Sequence, residues 1–114
     1  MTPKSWTAIV LGCGCIGLMT IMALKACGVS EIYAVDVMEK RLERAAEVGA
    51  ARVFNGKEED IVEFANNLPG GGVNQVYECA GNRFTILQSC KLIKIRYTAT
   101  GTCIHKQLQL YRQV

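Results

Sequence analysis

The sequence predicts an α/β fold in which a doubly wound parallel sheet carries helices on both faces. Short apolar runs of strand length alternate with longer segments whose apolar residues recur at helical spacing. A glycine-rich turn follows the first apolar run, and an acid ends the second. Because strand–helix–strand connections cross right-handed, this alternation stacks the strands in parallel.

The predicted strands are short. The first, Thr7 to Leu11, is apolar on both faces, as a central parallel strand covered on each side should be. Four further strands are predicted at Glu31–Val35, Arg52–Phe54, Val73–Tyr77 and Ile95–Thr100.

The first predicted helix follows the glycine turn and ends near Gly28. Four apolar residues recur along it at helical spacing and predict its buried stripe: Ile16, Met19, Ala23 and Cys27. We expect Met19 and Met22 to fill space in the core.

Three more helices are predicted, over residues 38–48, 57–68 and 83–93. The third helix of the chain is the most regular, and its acids Glu58, Glu59 and Asp60 fall in the predicted first turn, where they favour the helix dipole. Asn82 is a candidate cap of the last helix.

The glycine turn reads Gly12-Cys13-Gly14-Cys15-Ile16-Gly17 and predicts dinucleotide binding. In such a turn the first glycine permits a tight bend, the second lets backbone approach a pyrophosphate, and the third packs helix on strand. The helix start at Cys15, Ile16 and Gly17 presents its N–H groups to the phosphates. The alternative is a turn that serves packing only.

Asp36 ends the second strand, about 20 residues beyond Gly17, where an acid hydrogen-bonds the adenosine ribose in dinucleotide sites. Arg41 lies one turn further on, close enough to lie over the adenine ring or its ribose. Plain surface charge is the alternative for Arg41. The segments that follow the strands should gather at one edge of the sheet: Gly12–Gly17, Asp36, the Asn55 turn, Glu78–Gly81 and Thr100–Thr102.

Composition excludes several classes of function. The chain has 114 residues and a net charge of +3 that is spread along it, so we expect one domain and no nucleic-acid partner. Lys25 interrupts the longest apolar stretch, and the N-terminus is too short and polar for a signal peptide, so we expect no membrane partner and a cytoplasmic location. The six cysteines lack zinc-ligand spacing and are expected to be reduced structural thiols.

Three segments carry a resemblance to a known family: V-L-G-C-G-C-I-G-L-M, A-V-D-V-M-E-K-R-L-E-R-A-A-E-V-G-A and V-Y-E-C-A-G. From about Ala8 to Gly101 the sequence resembles the Rossmann-type coenzyme domain of the medium-chain, zinc-type alcohol dehydrogenases. Within them it looks most like the sorbitol and xylitol (polyol) dehydrogenases. The resemblance implies coenzyme contacts at these positions: Gly12, Gly14, Gly17, Asp36, Arg41, Cys79, Ala80, Gly81, Thr100 and Gly101. Cys15 and Ile16 join this set of candidate coenzyme contacts through the N–H groups of the helix start.

The resemblance also has departures. Family members carry a separate catalytic domain whose cysteine, histidine and acid bind the reactive zinc, and none of it precedes Met1. Lys94-Ile95-Arg96 stands where members have a glycine pair, and the pattern is lost after Cys103. We therefore expect a single truncated domain, with zinc only in the missing catalytic domain. Glu78 and His105 are weak acid–base candidates, so no catalytic residue is assigned.

NAD is the expected coenzyme, because the Asp36 carboxylate would repel the 2′-phosphate of NADP and Val37 is no arginine. NADP is the alternative, since Arg41 could soften that repulsion. We expect the isolated chain to bind NAD without turnover. The alternative function is a nucleotide-sensing or structural module without catalysis. An unpaired edge at Ile95–Thr100, or the tail, would favour a homo-oligomer. The tail, residues 103–114, fits either a short strand or a helix start.

Overall fold

Five parallel strands form one sheet in the computed structural model, which describes residues 6–69 and 71–101. The strands are β1 (Thr7–Leu11), β2 (Glu31–Asp36), β3 (Arg52–Asn55), β4 (Val73–Glu78) and β5 (Ile93–Gly101). Their order in the sheet is β3-β2-β1-β4-β5, and every neighbouring pair is parallel. The predicted α/β doubly wound fold is confirmed. The expected N-terminal lead-in, apart from Trp6, and the 103–114 tail with His105 lie outside the described residues.

Four helices connect the strands: α1 (Cys15–Ala26), α2 (Glu39–Val48), α3 (Ile61–Asn66) and α4 (Arg83–Leu92). The chain runs outward from β1 to β3, then crosses back through α3 to β4 on the other side of β1. Strand order therefore reverses between β1 and β4. Ligands of open parallel sheets bind at such a point, outside the carboxyl ends of the strands.

Residues of β1 alternate between two cores. Val10 packs with Ile21 of α1 and Leu42 of α2 on one face of the sheet. Leu11 packs with Ile61 of α3 and Ile86 of α4 on the other. Ala8, Ile9, Val10 and Leu11 are fully buried, which confirms that β1 is covered on both sides.

The predicted buried stripe of the first helix is wrong. Helix α1 buries Gly17, Ile21 and Leu24, whereas the side chains of the predicted stripe and of Met22 are exposed. The reason is the close approach at Gly17: a Cβ built there would lie 1.8 Å from the Gly12 carbonyl oxygen. That contact fixes the helix face, and α1 is apolar around so much of its circumference that spacing alone could not identify it.

Helix α3 is shorter than the predicted 57–68 segment. Asp60 caps it, because its Oδ1 accepts hydrogen bonds from the N–H groups of Val62 (3.0 Å) and Glu63 (3.2 Å). Glu58 and Glu59 precede the helix, where their N–H groups donate to the Asn55 carbonyl. Asp60 is therefore the N-cap residue, and Glu58 and Glu59 lie before it. None of these three acids lies in the first turn of α3, where they were predicted. At the last helix the cap prediction is confirmed, since the Thr85 N–H donates to Asn82 Oδ1 at 2.9 Å.

Candidate functional site

A cleft of about 340 Å³ lies at the carboxyl edge of the sheet, where the strand order reverses. Its walls come from the turn after β1, the segment after β2, the turn after β3 and the loop that connects β4 to α4. Six residues predicted from the sequence line it: Gly12, Gly14, Asp36, Arg41, Cys79 and Ala80.

Gly12 and Gly17 give the glycine turn its compact shape. Gly12 has φ of +98°, a conformation that side chains rarely adopt, and a Cβ there would lie 2.7 Å from the Ala80 nitrogen. The turn therefore packs directly on the loop after β4. Gly17 lies beneath the turn against the Gly12 carbonyl and is buried. Gly12 thus forms part of the cleft wall, whereas Gly17 supports the turn from beneath.

Gly14 differs from these two because its open side faces the cleft. A Cβ built at Gly14 would meet only one atom within 4 Å, the Nη1 of Arg41 at 4.0 Å. Gly14 is also the N-cap of α1, and no side chain caps the helix there. The first helical hydrogen bond runs from the Leu18 N–H to the Gly14 carbonyl (2.9 Å), so the preceding N–H groups have no acceptor within the helix. This end of the cleft suits an anion.

The Asp36 carboxylate is held by backbone N–H groups on both sides. Oδ2 accepts a hydrogen bond from the Cys13 N–H at 2.7 Å, and Oδ1 accepts from Val37 (2.7 Å) and Met38 (2.9 Å). The side chain of Asp36 is only 5% exposed. Asp36 thus joins the glycine turn to the end of β2 and presents a fixed negative charge at the cleft.

Arg41 approaches the same carboxylate from α2. Its Nη1 lies 3.8 Å from Asp36 Oδ2, and its side chain is 50% exposed. An ion pair at this distance, in which the Arg41 side chain is half exposed, contributes little to stability. The guanidinium therefore remains available to a ligand that reaches both Asp36 and Gly14.

The Cys13 thiol is buried between the turn and the core. Burial raises its pKa to about 12, and the nearby Asp36 charge adds to the increase. Its Sγ faces the Val35 carbonyl at 3.6 Å. The thiol stays protonated at neutral pH, so Cys13 contributes its backbone N–H to the site rather than a nucleophile.

Glu78 fixes the second wall of the cleft. This fully buried side chain ends β4, and its Oε1 accepts hydrogen bonds from the N–H groups of Ala80 (2.9 Å) and Gly81 (2.8 Å) and from the Thr85 hydroxyl (2.7 Å). The carboxylate therefore holds the loop that packs on Gly12. This geometry gives Glu78 a structural role.

The remaining predicted residues lie around the cleft rather than in its lining. Cys15 and Ile16 are exposed at the start of α1, and the Gly81 N–H is committed to Glu78. Thr100 and Gly101 pair with Tyr77 and Glu78 across β4 and β5, which places their backbone at the same sheet edge.

Several cleft residues were not predicted from the sequence as site residues: Val37, Gly56, Asn82, Phe84, Thr85 and Gln88. Val37 could have been found, since it directly follows the acid at the end of β2. Phe84 carried a weaker signal, an aromatic residue at the second position of a helix that begins at the cleft.

The described residues hold no group of three or more His, Cys, Asp or Glu side chains that could bind a metal ion. A zinc ion therefore does not fit the part of the chain that the structure describes, and no chemistry is assigned through it. Within the same part, no helix combines the length and apolar character needed to cross a membrane.

Comparison with known proteins identifies relatives of this chain. Residues 15–107 match the zinc-binding dehydrogenase family. The chain is 45% identical over 74 residues to (R,R)-butanediol dehydrogenase of Bacillus subtilis, covering 65% of this chain and 21% of that protein.

Solved structures of dehydrogenases share the fold of this chain. Benzyl alcohol dehydrogenase from Acinetobacter calcoaceticus superposes with a TM-score of 0.83 at 35% identity, over 90% of this chain and 28% of that one. A zinc-binding dehydrogenase from Sinorhizobium meliloti, described as putative and bound to NADP, superposes with a TM-score of 0.81 at 29% identity, over 96% of this chain and 36% of that one. The chain spans about a quarter of the length of the curated relatives that it matches.

Proposed function

The chain belongs to the zinc-binding dehydrogenase family, and we propose that its residues 1–114 form the NAD-binding domain of an alcohol dehydrogenase. The substrate class is a secondary alcohol or polyol, in keeping with the relative named as a butanediol dehydrogenase. Bound NAD would accept a hydride from the carbinol carbon. The residues of this chain bind and orient the coenzyme.

One observation carries the proposal: Gly14 and Asp36 open on the same cleft at the reversal of strand order. The pyrophosphate would lie on the exposed face of Gly14, where the start of α1 supplies N–H groups and a partial positive charge. The adenosine ribose would reach the Asp36 carboxylate, with Arg41 beside it. Cys79 and Ala80, with the adjacent ends of β4 and β5, would face the nicotinamide half of the coenzyme.

The charge at Asp36 favours NAD over NADP. Three N–H donors hold the nearly buried carboxylate in place, so it cannot turn away from a 2′-phosphate. Two like charges about 4 Å apart repel by about 4 kcal/mol near a protein surface. Arg41 offsets part of this repulsion, so the preference is expected to be smaller.

Comparative titration of NAD and NADP tests the proposal. We expect the wild-type chain to bind NAD at least about tenfold more tightly than NADP, and Asp36→Ala to reduce that ratio towards one. The ratio is informative even if the substitution lowers stability, because both coenzymes meet the same folded protein. Equal or tighter binding of NADP by the wild type would refute the preference. Zinc-dependent oxidation of sorbitol or xylitol by this polypeptide alone would contradict the expected lack of turnover.

A further inference from the structure

Three sulfur-containing side chains share one exposed face of α1. Cys15, Met19 and Met22 are spaced at i, i+4 and i+7, which places them on the same side of a helix. The side chains of Met19 and Met22 are 56% and 46% exposed, and Cys15 is also exposed. Methionine commonly fills gaps in a core, but neither residue has that task here. The face therefore presents three polarisable sulfur atoms to solvent.

The distance between Cys15 and Met19 fits a shared metal ion. The Sγ of Cys15 lies 4.0 Å from the Sδ of Met19. Thiol and thioether groups are both weak hydrogen-bonding partners, so a direct contact at this distance contributes little. Two sulfur atoms that bind one metal ion at about 2.3 Å, with an angle of about 120° between them, are separated by about 4 Å. The pair is thus already spaced as two ligands of a trigonal ion.

We propose that Cys15, Met19 and Met22 bind one Cu(I) ion through their sulfur atoms. Thiolate and thioether ligands select Cu(I) among the first-row metals. Met22 follows Met19 by one helical turn, and long side chains of a helix lean towards its N-terminus, so the Met22 thioether is within reach of the pair. Flexible methionine side chains adjust to the ion without backbone movement. Binding releases the thiol proton of Cys15, so the thiolate cancels the charge of the ion.

The charges along α1 favour this ion over harder divalent cations. Lys25 is the only charged residue in the sequence from Cys15 to Ala26, and the first turn of α1 contains no acid. The helix therefore offers no carboxylate, which is the ligand that harder cations prefer. Only the backbone N–H of Cys15 is assigned to phosphate, so its thiol is not needed for the coenzyme. The proposal is therefore independent of the proposed NAD site.

Anaerobic titration of Cu(I), buffered by a coloured Cu(I) chelator, tests the proposal. We expect the wild-type chain to take one Cu(I) from the chelator. Cys15→Ser should weaken binding at least about a hundredfold, and Met19→Leu and Met22→Leu should each weaken it roughly tenfold. All three positions are exposed, so the variants are expected to fold. Cys27→Ser and Met38→Leu are the matched controls, because each removes an exposed sulfur from elsewhere, and both should retain wild-type affinity for Cu(I).

Two spectroscopic measurements identify the ligands. X-ray absorption at the copper edge should show only sulfur neighbours, at about 2.3 Å. Ag(I) replaces Cu(I) as a probe that is not readily oxidised, and its binding should shift the methyl NMR resonances of Met19 and Met22. The methyl resonance of Met38 should stay in place.

A wild-type chain that leaves Cu(I) on the chelator would overturn the inference, as would an equal loss of affinity in Cys15→Ser and Cys27→Ser. Unchanged affinity in Met19→Leu or in Met22→Leu would also overturn it, because the ion would then bind fewer sulfur atoms than proposed. The same holds if the methionine variants change only the oligomeric state, since this face of α1 would then contact another copy of the chain. The proposed NAD site stands or falls separately, because its titrations do not involve these side chains.

Discussion

Gly14 and Gly17 belong to one turn but perform separate tasks. Gly17 is required by the fold, because any side chain there would clash with the Gly12 carbonyl oxygen. Gly14 has φ of −74° and an open side, so the protein itself tolerates a side chain at this position. A substitution at Gly17 should therefore change the stability of the fold, whereas a substitution at Gly14 should change ligand binding.

The first prediction concerns Gly17. Gly17→Ala should destabilise the protein by about 2–3 kcal/mol or more, as expected for overpacking against rigid backbone. Gly14→Ala is the control and should cost less than about 1 kcal/mol, mainly through its poorer N-cap propensity. Urea unfolding of both variants measures the difference. Equal stabilities would show that α1 does not press on the turn at Gly17.

A second prediction concerns alkaline pH. Burial in the folded protein raises the pKa of the Cys13 thiol from its ordinary value of 9.0 to about 12. Between pH 9 and 12 the unfolded chain has lost this proton while the folded chain retains it, so the free energy of unfolding should fall as pH rises. The contribution of one group is at most about 1.4 kcal/mol per pH unit.

Urea unfolding as a function of pH tests the Cys13 prediction. Cys13→Ala should show a shallower decrease between pH 9 and 12 than the wild type, whatever its stability at pH 7. Parallel curves for the two proteins would mean that the Cys13 thiol does not govern the alkaline transition.

At the residue scale, the sequence predicted the positions that depend on spacing along the chain. The separation of Gly12, Gly14 and Gly17 and the position of Asp36 after the second strand were enough to bring Gly12, Gly14 and Asp36 to one cleft. The hydrogen bond from the Cys13 N–H to Asp36 could not be predicted, because it depends on the distance between two strand ends. Phe84 reaches the cleft only through the packing of α4.

Among the elements, α1 shows that the spacing of apolar residues does not always identify the buried face of a helix. The sequence predicts a stripe that begins at Ile16, but the buried stripe is Gly17, Ile21 and Leu24. Apolar residues surround most of this helix, so several stripes satisfy the same spacing. The smallest residue, rather than the largest, marks the contact face, because it allows the closest approach to β1.

Stability measurements on α1 variants test this assignment. Ile21→Ala should lower the free energy of unfolding by about 2–5 kcal/mol, since Ile21 is fully buried. Met19→Ala should change it by less than about 1 kcal/mol, because the Met19 side chain is 56% exposed. A larger loss at Met19 than at Ile21 would restore the face predicted from the sequence.

Helix α3 illustrates a different limit. The predicted span, residues 57–68, is longer than α3 at both ends, and the start of the helix is set by the Asp60 cap. The two preceding residues are drawn into the turn at Asn55 instead. Competition between a turn and a helix for the same N–H groups cannot be resolved from periodicity.

For the whole molecule, the alternation of strands and helices was sufficient to predict the sheet. Right-handed crossovers leave few arrangements for this order of elements, and the observed β3-β2-β1-β4-β5 order is one of them. The position of the cleft follows from that order. Its dimensions do not, because they depend on how the Glu78 carboxylate holds the loop after β4.

The central claim is that the open face of Gly14 binds the pyrophosphate of NAD, and calorimetric titration of NAD into the wild type and Gly14→Val tests it most directly. The substitution adds side-chain atoms only on the cleft side, so we expect a folded variant whose affinity for NAD falls at least about tenfold. Gly14→Ala should show a smaller loss in the same direction and serves if valine impairs folding. A folded Gly14→Val protein that binds NAD as tightly as the wild type would contradict the claim.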